Sequence, residues 1–473
     1  MDCLDCQQRS TIAYGKHGRN SATDHIAYTI RQRPSFRRIW RCLFRRSRCA
    51  TRSQFERVNH VIQRLDPQPQ FILFTGDEVA GYTQDPNELR AQWRYWLDVE
   101  MRWVAERAIP IWHATSNHTT YDRMSEDIFA EALCHLPRNG APGQEGLSYW
   151  LRLDDLLLVF VHTLCTDLGG EGYVETSWLR EVLRQNKDAK HKIVVGHHPV
   201  FSVNGFSGAY GRDVGPECGP TFWDTLVEAG VLAYFCSHIL AFDVQVHRGV
   251  LQVCTAGAGT GHRMPEGIEY LHCVQAALDD NGLRYQVLDT DGVAREGLSW
   301  PISLPPAENW RALPPGRHPA PSDILATAGR PIILRFSGTA ATDGIGTEQT
   351  LLTAFDEGSR SKLWIGFRGA AQRLTVLMAP DKGRSPFYGL GPSVPAGRPF
   401  EFTIVIHPGM GPGGILVREG DESLWSSMST TSPWGAERLR WPSTFGIGFA
   451  QQGKDDRPFR GWLNRCSLAV CGT

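Results

Sequence analysis

Residues His191–Pro199 read HKIVVGHHP, an apolar run of strand length that passes through Gly196 directly into two adjacent histidines. A short apolar run bounded by turn residues is the pattern of a strand buried on both faces of a sheet. The same arrangement recurs in FILFTGD (71–77), IPIWHATSNH (109–118), DLLLVFVHT (155–163), VLAYFCSH (231–238) and GVLQVCTAGAG (249–259). Between these runs lie stretches of helical period: NELRAQWRYWLDVEMRWVAER (87–107), ETSWLREVLRQN (175–186) and TFWDTLVEAG (221–230). Strands alternating with helices predict a layered α/β domain whose polar residues gather in the loops beyond the strand ends.

Outward from this core the pattern changes at both ends. SQFERVNHVIQRL (53–65) places Phe55, Val58, Val61, Ile62 and Leu65 on one face of a helix, with Ser53 as its expected N-cap. Upstream, residues 1–50 form a basic segment without a clean period. Up to His60, thirteen Lys and Arg face four Asp and Glu, a net of +9, although the whole chain carries only -1. This tract reads as an exposed leader rather than a nucleic-acid-binding arm. Cys3 and Cys6 form a CxxC, but Cys42 and Cys49 are too widely spaced to complete a zinc finger with them. The twelve cysteines of the chain are scattered, which predicts reduced thiols rather than a disulfide framework. No apolar run is long enough for a membrane span and no secretory signal is visible, so a cytoplasmic location is expected.

At 473 residues the chain exceeds what one core usually supports. The expected division is a basic segment at 1–50, an α/β domain at 51–300, a Pro-rich linker at 301–321 and an all-β sandwich at 322–473. The linker, PISLPPAENWRALPPGRHPAP, reads as extended chain. Beyond it, short alternating runs such as PIILRFSG, FEFTIVIHP and FGIGFA, separated by turn residues, indicate the sandwich. The late pattern FGIGFA…RPFRGWLNRCSLAV resembles the laminin-G and concanavalin-A-like jelly rolls. Trp364, Trp425 and Trp434 are candidates for stacking on a glycan, although such residues in a sandwich more often pack in the core or loops, and the domain could equally shield or position the first one.

Four elements carry chemistry: TGD (75–77), SNH (116–118), GHHP (196–199) and CSH (236–238). A carboxylate, an amide oxygen and imidazoles at neighbouring strand ends suit Zn, Mn or Fe. In order and strand context these segments resemble the GD, GNH, GH and GHxH motifs of calcineurin-like metallophosphoesterases, most closely the purple and tartrate-resistant acid phosphatase branch. The resemblance implies that Asp77 bridges two metals and that Asn117, His197 and His238 complete the second position. It makes His118 the residue that contacts phosphate and protonates the departing oxygen. His198, beside a candidate ligand, is a candidate for the lining of the phosphate pocket, a position where the family tolerates many residue types.

The first metal position departs from the family. Its opening motif is expected just before the Phe55 helix, where the sequence reads RRIWRCLFRRSRC (37–49). Ala80 stands where a tyrosine is expected, and Leu240 replaces the second histidine of GHxH. Asp24–His25 and Asp243 are considered as stand-ins. His113 and His162 read as structural residues of apolar strands, and His247 is not expected at the site. The expected function is hydrolysis of a phosphate mono- or diester through one metal position, the second being doubtful. The alternative is a degenerate phosphatase domain acting as a glycan- or protein-binding protein.

Overall fold

The computed structural model describes residues 24–29, 50–164, 171–201, 214–215, 217–259, 270–301, 307–320, 332–342, 348–356, 363–378, 387–406, 415–419, 422–429, 442–449 and 457–471. Two compact units emerge, one drawn from residues 1–241, 252–264 and 269–294, the other from 242–251, 265–268 and 295–473.

In the first unit the chain runs β1 (Asp24–Thr29), α1 (Ala50–Gln63), β2 (Phe71–Phe74), α2 (Pro86–Tyr95), α3 (Arg102–Glu106), β3 (Ile111–His113) and α4 (Arg123–Ala132). It continues through β4 (Tyr149–Leu153), β5 (Leu156–Phe160), α5 (Thr176–Gln185), β6 (His191–Val195), α6 (Gly219–Glu228) and β7 (Ala233–Cys236). After β8 (Phe242–His247), which belongs to the second unit, come β9 (Val250–Thr255), β10 (His272–Asp279) and β11 (Gly282–Asp289).

One sheet contains the run β11-β10-β1-β2-β3, with β1, β2 and β3 parallel. The other pairs β4 antiparallel to β5, runs β5, β6 and β7 in parallel, and adds β9 beside β7. The apolar runs are the buried strands: every residue of β2, β5 and β7 is buried. Helix α1 lays Phe55, Val58, Val61 and Ile62 inward, each such side chain contributing about 1.5–3 kcal/mol. It packs on β10 and β11.

Three expectations change here. The strand beside β2 is Asp24–Thr29, whereas Arg37–Cys49 lies outside the described residues. Because β1 is flanked by β2 and β10, it is an interior strand, and an arginine-rich run does not suit that place. Register puts Ile26 opposite Phe71 and Tyr28 opposite Leu73. Asp24 therefore sits at the opposite end of β1 from the loop that follows β2, on the order of 16 Å along the strand. Asp24–His25 is not a stand-in ligand. Helix α1 begins at Ala50, so Ser53 lies inside it rather than at its cap.

The long stretch at 87–107 is divided. Asp85 caps α2, its side chain accepting from the N–H of Asn87, and a π-helical turn over Trp96–Glu100 separates α2 from α3. The extra residue in that turn shifts the register so that Trp96, Met101 and Val104 all face inward.

The second unit is all-β: β12 (Ala294–Trp300), β13 (Ala307–Ala312), β14 (Gly316–Pro319), β15 (Ile332–Thr339), β16 (Gln349–Phe355), β17 (Leu363–Arg368) and β18 (Arg373–Met378). It ends with β19 (Phe387–Ser393), β20 (Pro399–Ile406), β21 (Ile415–Glu419), β22 (Glu422–Ser429), β23 (Thr444–Ile447) and β24 (Trp462–Cys471). One layer has the order β13-β24-β15-β20-β21-β22-β8 and the other β14-β23-β16-β17-β18-β19. Leu334, Phe336 and Phe402 of the first layer share a core with Leu352, Ile365, Phe367 and Phe445 of the second, the arrangement of a sandwich.

The Pro-rich stretch is not simply a linker, since β13 pairs with β24 and β14 with β23. Its prolines fall between these outer strands or at their ends, where no ladder hydrogen bond is lost. Trp364 is buried, its Nε1–H donating to Thr350 Oγ1 at 2.9 Å, the core packing expected of an aromatic in a sandwich rather than a sugar platform. Trp434 lies outside the described residues, as do Cys3, Cys6, Cys42 and Cys49. Cys134 is disulfide-bonded, an exception to the expected reduced thiols, while Cys218, Cys236, Cys254, Cys273 and Cys466 are not in disulfides. Among the described residues no helix is long and apolar enough to cross a membrane.

Candidate metal centre

Strand β2 ends at Phe74 and the chain turns immediately through Thr75, Gly76 and Asp77. At Gly76 φ is +107°, and a Cβ there would stand 2.5 Å from Ser116 Cβ and 2.7 Å from His197 Nδ1. Only glycine lets the three loops approach this closely. Asp77 itself adopts φ +64° and His238 φ +66°, left-handed conformations that cost a side-chain-bearing residue roughly 1–2 kcal/mol each. Such strain persists where the surroundings enforce it, typically at functional sites. For Asp77 the enforcement includes an N–H donated to Ser116 Oγ at 2.9 Å.

His197 follows β6 and is fully buried. Its Nδ1–H donates to the Thr75 carbonyl at 2.8 Å, and a carbonyl can only accept, so in the neutral imidazole Nε2 presents a lone pair. Facing that lone pair are Asn117 Oδ1 at 2.9 Å, His238 Nδ1 at 3.2 Å and Asp77 Oδ1 at 3.5 Å. His238 Nδ1 is also 3.2 Å from Asn117 Oδ1. The amide of Asn117 is oriented by its Nδ2, which donates to Tyr82 Oη at 2.6 Å. A single proton on His238 Nδ1 satisfies part of this set. Neither carboxylate oxygen of Asp77 receives a hydrogen bond among the described residues, although the residue is only 2% exposed. Two imidazole nitrogens, an amide oxygen and a buried carboxylate converging in this way fit a Zn, Mn or Fe ion.

His118 is half-buried, and its Nδ1–H donates to the Ala80 carbonyl at 2.8 Å. His198 packs its ring 4.4 Å from that of His238, and one ring nitrogen from each of His197, His198 and His238 falls within 4.8 Å of the others. Nδ1 of His198 lies 2.8 Å from Thr163 Oγ1, while its Nε2–H donates to Glu171 at 3.2 Å. The same Glu171 oxygen lies 3.9 Å from His238 Nε2. All four predicted ligands, with His118 and His198, therefore come together at the ends of β2, β3, β6 and β7.

Residues 32–242 match the family model described as calcineurin-like phosphoesterase. These residues, somewhat under half of the chain, are similar to that family's domain. Among solved structures, the chain is similar to GAP50, the anchor in the inner membrane complex of Plasmodium, with 14% identity, TM-score 0.42, and 59% of this chain covering 89% of that one. It is also similar to a purple acid phosphatase from yellow lupin seeds, with 13% identity, TM-score 0.40, and 58% of this chain covering 53% of that one. The chain thus spans about half the length of the lupin enzyme. No curated protein matches it.

Within the phosphoesterase domain, apolar groups stand where the first-metal ligands are expected. Leu240 is buried against Ala256, and Ala80 is buried with its carbonyl committed to His118. Asp243 lies in strand β8 of the second unit rather than in a loop, and accepts from Gln245 Nε2 at 2.7 Å. His247 lies 2.9 Å from Gln245 Oε1. His113 is structural in setting: burial pushes its imidazole down to about 3, and Nδ1 stands 3.0 Å from Glu78. His162 is buried with Nδ1 2.7 Å from Thr115 Oγ1. Tyr82 and Glu171 escaped the sequence reading. Tyr82 lies two residues past the position where a tyrosine is expected, which was the available signal; nothing local marks Glu171.

Proposed function

We propose that the phosphoesterase domain hydrolyses a phosphate mono- or diester through one metal position held by Asp77, Asn117, His197 and His238. The observation that carries this reading is the convergence of lone pairs around His197 Nε2 beside the buried, unbonded carboxylate of Asp77. A Zn, Mn or Fe ion would supply Lewis acidity toward the phosphoryl oxygens and an attacking water. His118, tethered through Nδ1 to Ala80, carries a proton on Nε2 and gives it to the departing oxygen as the P–O bond breaks. His198 lines the pocket on the side of Glu171. With one ion, the phosphoryl group is less fully clamped than in a two-metal site, so slow turnover is expected.

The test is metal content of the purified chain by mass spectrometry, together with hydrolysis of p-nitrophenyl phosphate and its bis ester. One ion per chain and a rate reduced by His118→Ala support the reading. A chain that binds no divalent ion and whose rate is indifferent to His118→Ala overturns it. The apolar contact of Leu240 with Ala256 favours a second reading, a degenerate phosphatase that binds rather than cleaves. On that reading the two-layer second unit is a laminin-G or concanavalin-A-like module for a glycan, and retention on immobilised glycans without phosphatase activity is its signature.

A further inference from the structure

We infer that Tyr82 is a positioning residue that locks Asn117 with its oxygen toward the metal position, an inference that rests on the metal-site reading above. An asparagine amide has two nearly isosteric ends, and only the oxygen can ligate a cation. In the first unit Asn117 Nδ2 donates to Tyr82 Oη at 2.6 Å while Oδ1 faces His197 and His238, and the bond to the phenol holds the amide in that orientation.

Tyr82 is itself held from several sides. Its ring stacks on Tyr121 at 5.0 Å with an interplanar angle of 24° and meets the edge of His118 at 4.7 Å. The Tyr121 hydroxyl bridges both backbone groups of the next residue, donating to Thr83 O at 2.5 Å and accepting from Thr83 N at 2.9 Å. The backbone is shaped to deliver this ring. Gly81 and Tyr82 both adopt left-handed φ, +60° and +49°, and a Cβ at Gly81 would overlap the carbonyl oxygen of His118. The Gly81 N–H is fixed by Gln92 Oε1 at 2.9 Å.

One phenol thus touches a candidate ligand and the candidate acid together. It comes from the same loop as Asp77, two residues beyond the alanine that replaces the expected tyrosine. Outer partners that orient a ligand typically change metal affinity by about 10- to 100-fold when removed, and that range is expected for Tyr82→Phe.

The experiment is titration of the metal-free wild-type chain and Tyr82→Phe with Mn2+ and with Zn2+ by calorimetry, with circular dichroism to verify folding. A Kd raised at least tenfold in a folded Tyr82→Phe protein supports the role. A Kd within twofold of wild type overturns it while leaving the metal site intact. A wild-type chain that binds neither ion overturns the metal-site reading and this role with it. Should Tyr82→Phe not fold, the side-chain amide protons of Asn117 in the wild-type chain decide by NMR. Slowed exchange with solvent supports the bond to Tyr82, and exchange at the rate of a free amide overturns it.

Discussion

His197 Nε2 and Asn117 Oδ1 stand 2.9 Å apart, and with a neutral imidazole both are lone-pair atoms, because His197 Nδ1–H is spent on Thr75 O and the Asn117 amide nitrogen on Tyr82. Two acceptors at that distance repel unless a cation lies against them or a proton is shared. A cation that binds only the folded chain stabilises it by mass action, about 2.7 kcal/mol at a hundredfold excess over Kd. Thermal unfolding of the chelator-treated chain should therefore shift upward by several degrees with Zn2+ or Mn2+ and return on rechelation. An unchanged midpoint at millimolar metal would contradict the site.

Asp77 gives the sharper form of the same argument. Its carboxylate is buried without a hydrogen bond among the described residues, an arrangement that costs the metal-free protein about 1–3 kcal/mol. Asp77→Asn should raise the stability of the metal-free chain in urea denaturation and abolish the metal-induced shift. Loss of stability on both counts would show that Asp77 is held by protein contacts instead.

How far the site was legible follows from the physics of its elements. Parallel strands covered on both faces must be apolar throughout, so β2, β5 and β7 stand out as unbroken runs, and the loops after β2, β3, β6 and β7 carry Asp77, Asn117, His197 and His238. Strand β1 did not stand out, because DHIAYT is short and mixed, and twenty residues separate it from α1. The strands at Ala307–Ala312 and Gly316–Pro319 were hidden by prolines that imitate a linker. Tyr82 was hidden for a different reason: its direction depends on two consecutive left-handed residues, which no hydrophobic period reports.

Those left-handed residues make a prediction of their own. Gly81→Ala would place a Cβ into the His118 carbonyl oxygen at a φ of +60°. Either the backbone moves or the loop strains, and relief comes from displacing Tyr82 and His118 together. The substitution should destabilise the chain by more than about 2 kcal/mol, read from urea unfolding, and should weaken metal binding. Val99→Ala, at a half-exposed position in the π turn, serves as the control, with a change within about 0.5 kcal/mol.

His118 separates binding from chemistry. Because its Nδ1 is bonded to Ala80 O and it makes no part of the donor cluster around His197, His118→Ala should leave the metal Kd unchanged. Loss of a general acid typically lowers turnover by about 10²- to 10⁴-fold. His238→Ala should instead lower both. Equal loss of metal by the two variants, measured by calorimetry, would return His118 to a structural role.

The last prediction concerns acid stability. His272 is fully buried; Nδ1–H donates to Tyr270 O at 2.8 Å and Nε2 lies 2.9 Å from Thr255 Oγ1, from which it accepts. Burial pushes the imidazole down to about 4, against about 6.5 in an unfolded chain. Between those values the unfolded state binds the proton and the folded state does not, so stability is complete above about 6.5 and is lost as pH falls toward about 4. The loss amounts to about 3 kcal/mol from this residue. His272→Gln keeps a donor and an acceptor but cannot titrate. In urea unfolding of the metal-free chain it should flatten the pH slope across that window by up to about 1.4 kcal/mol per pH unit. A slope identical to wild type would mean that His272 is protonated in the folded state, with Nε2–H donating to Thr255.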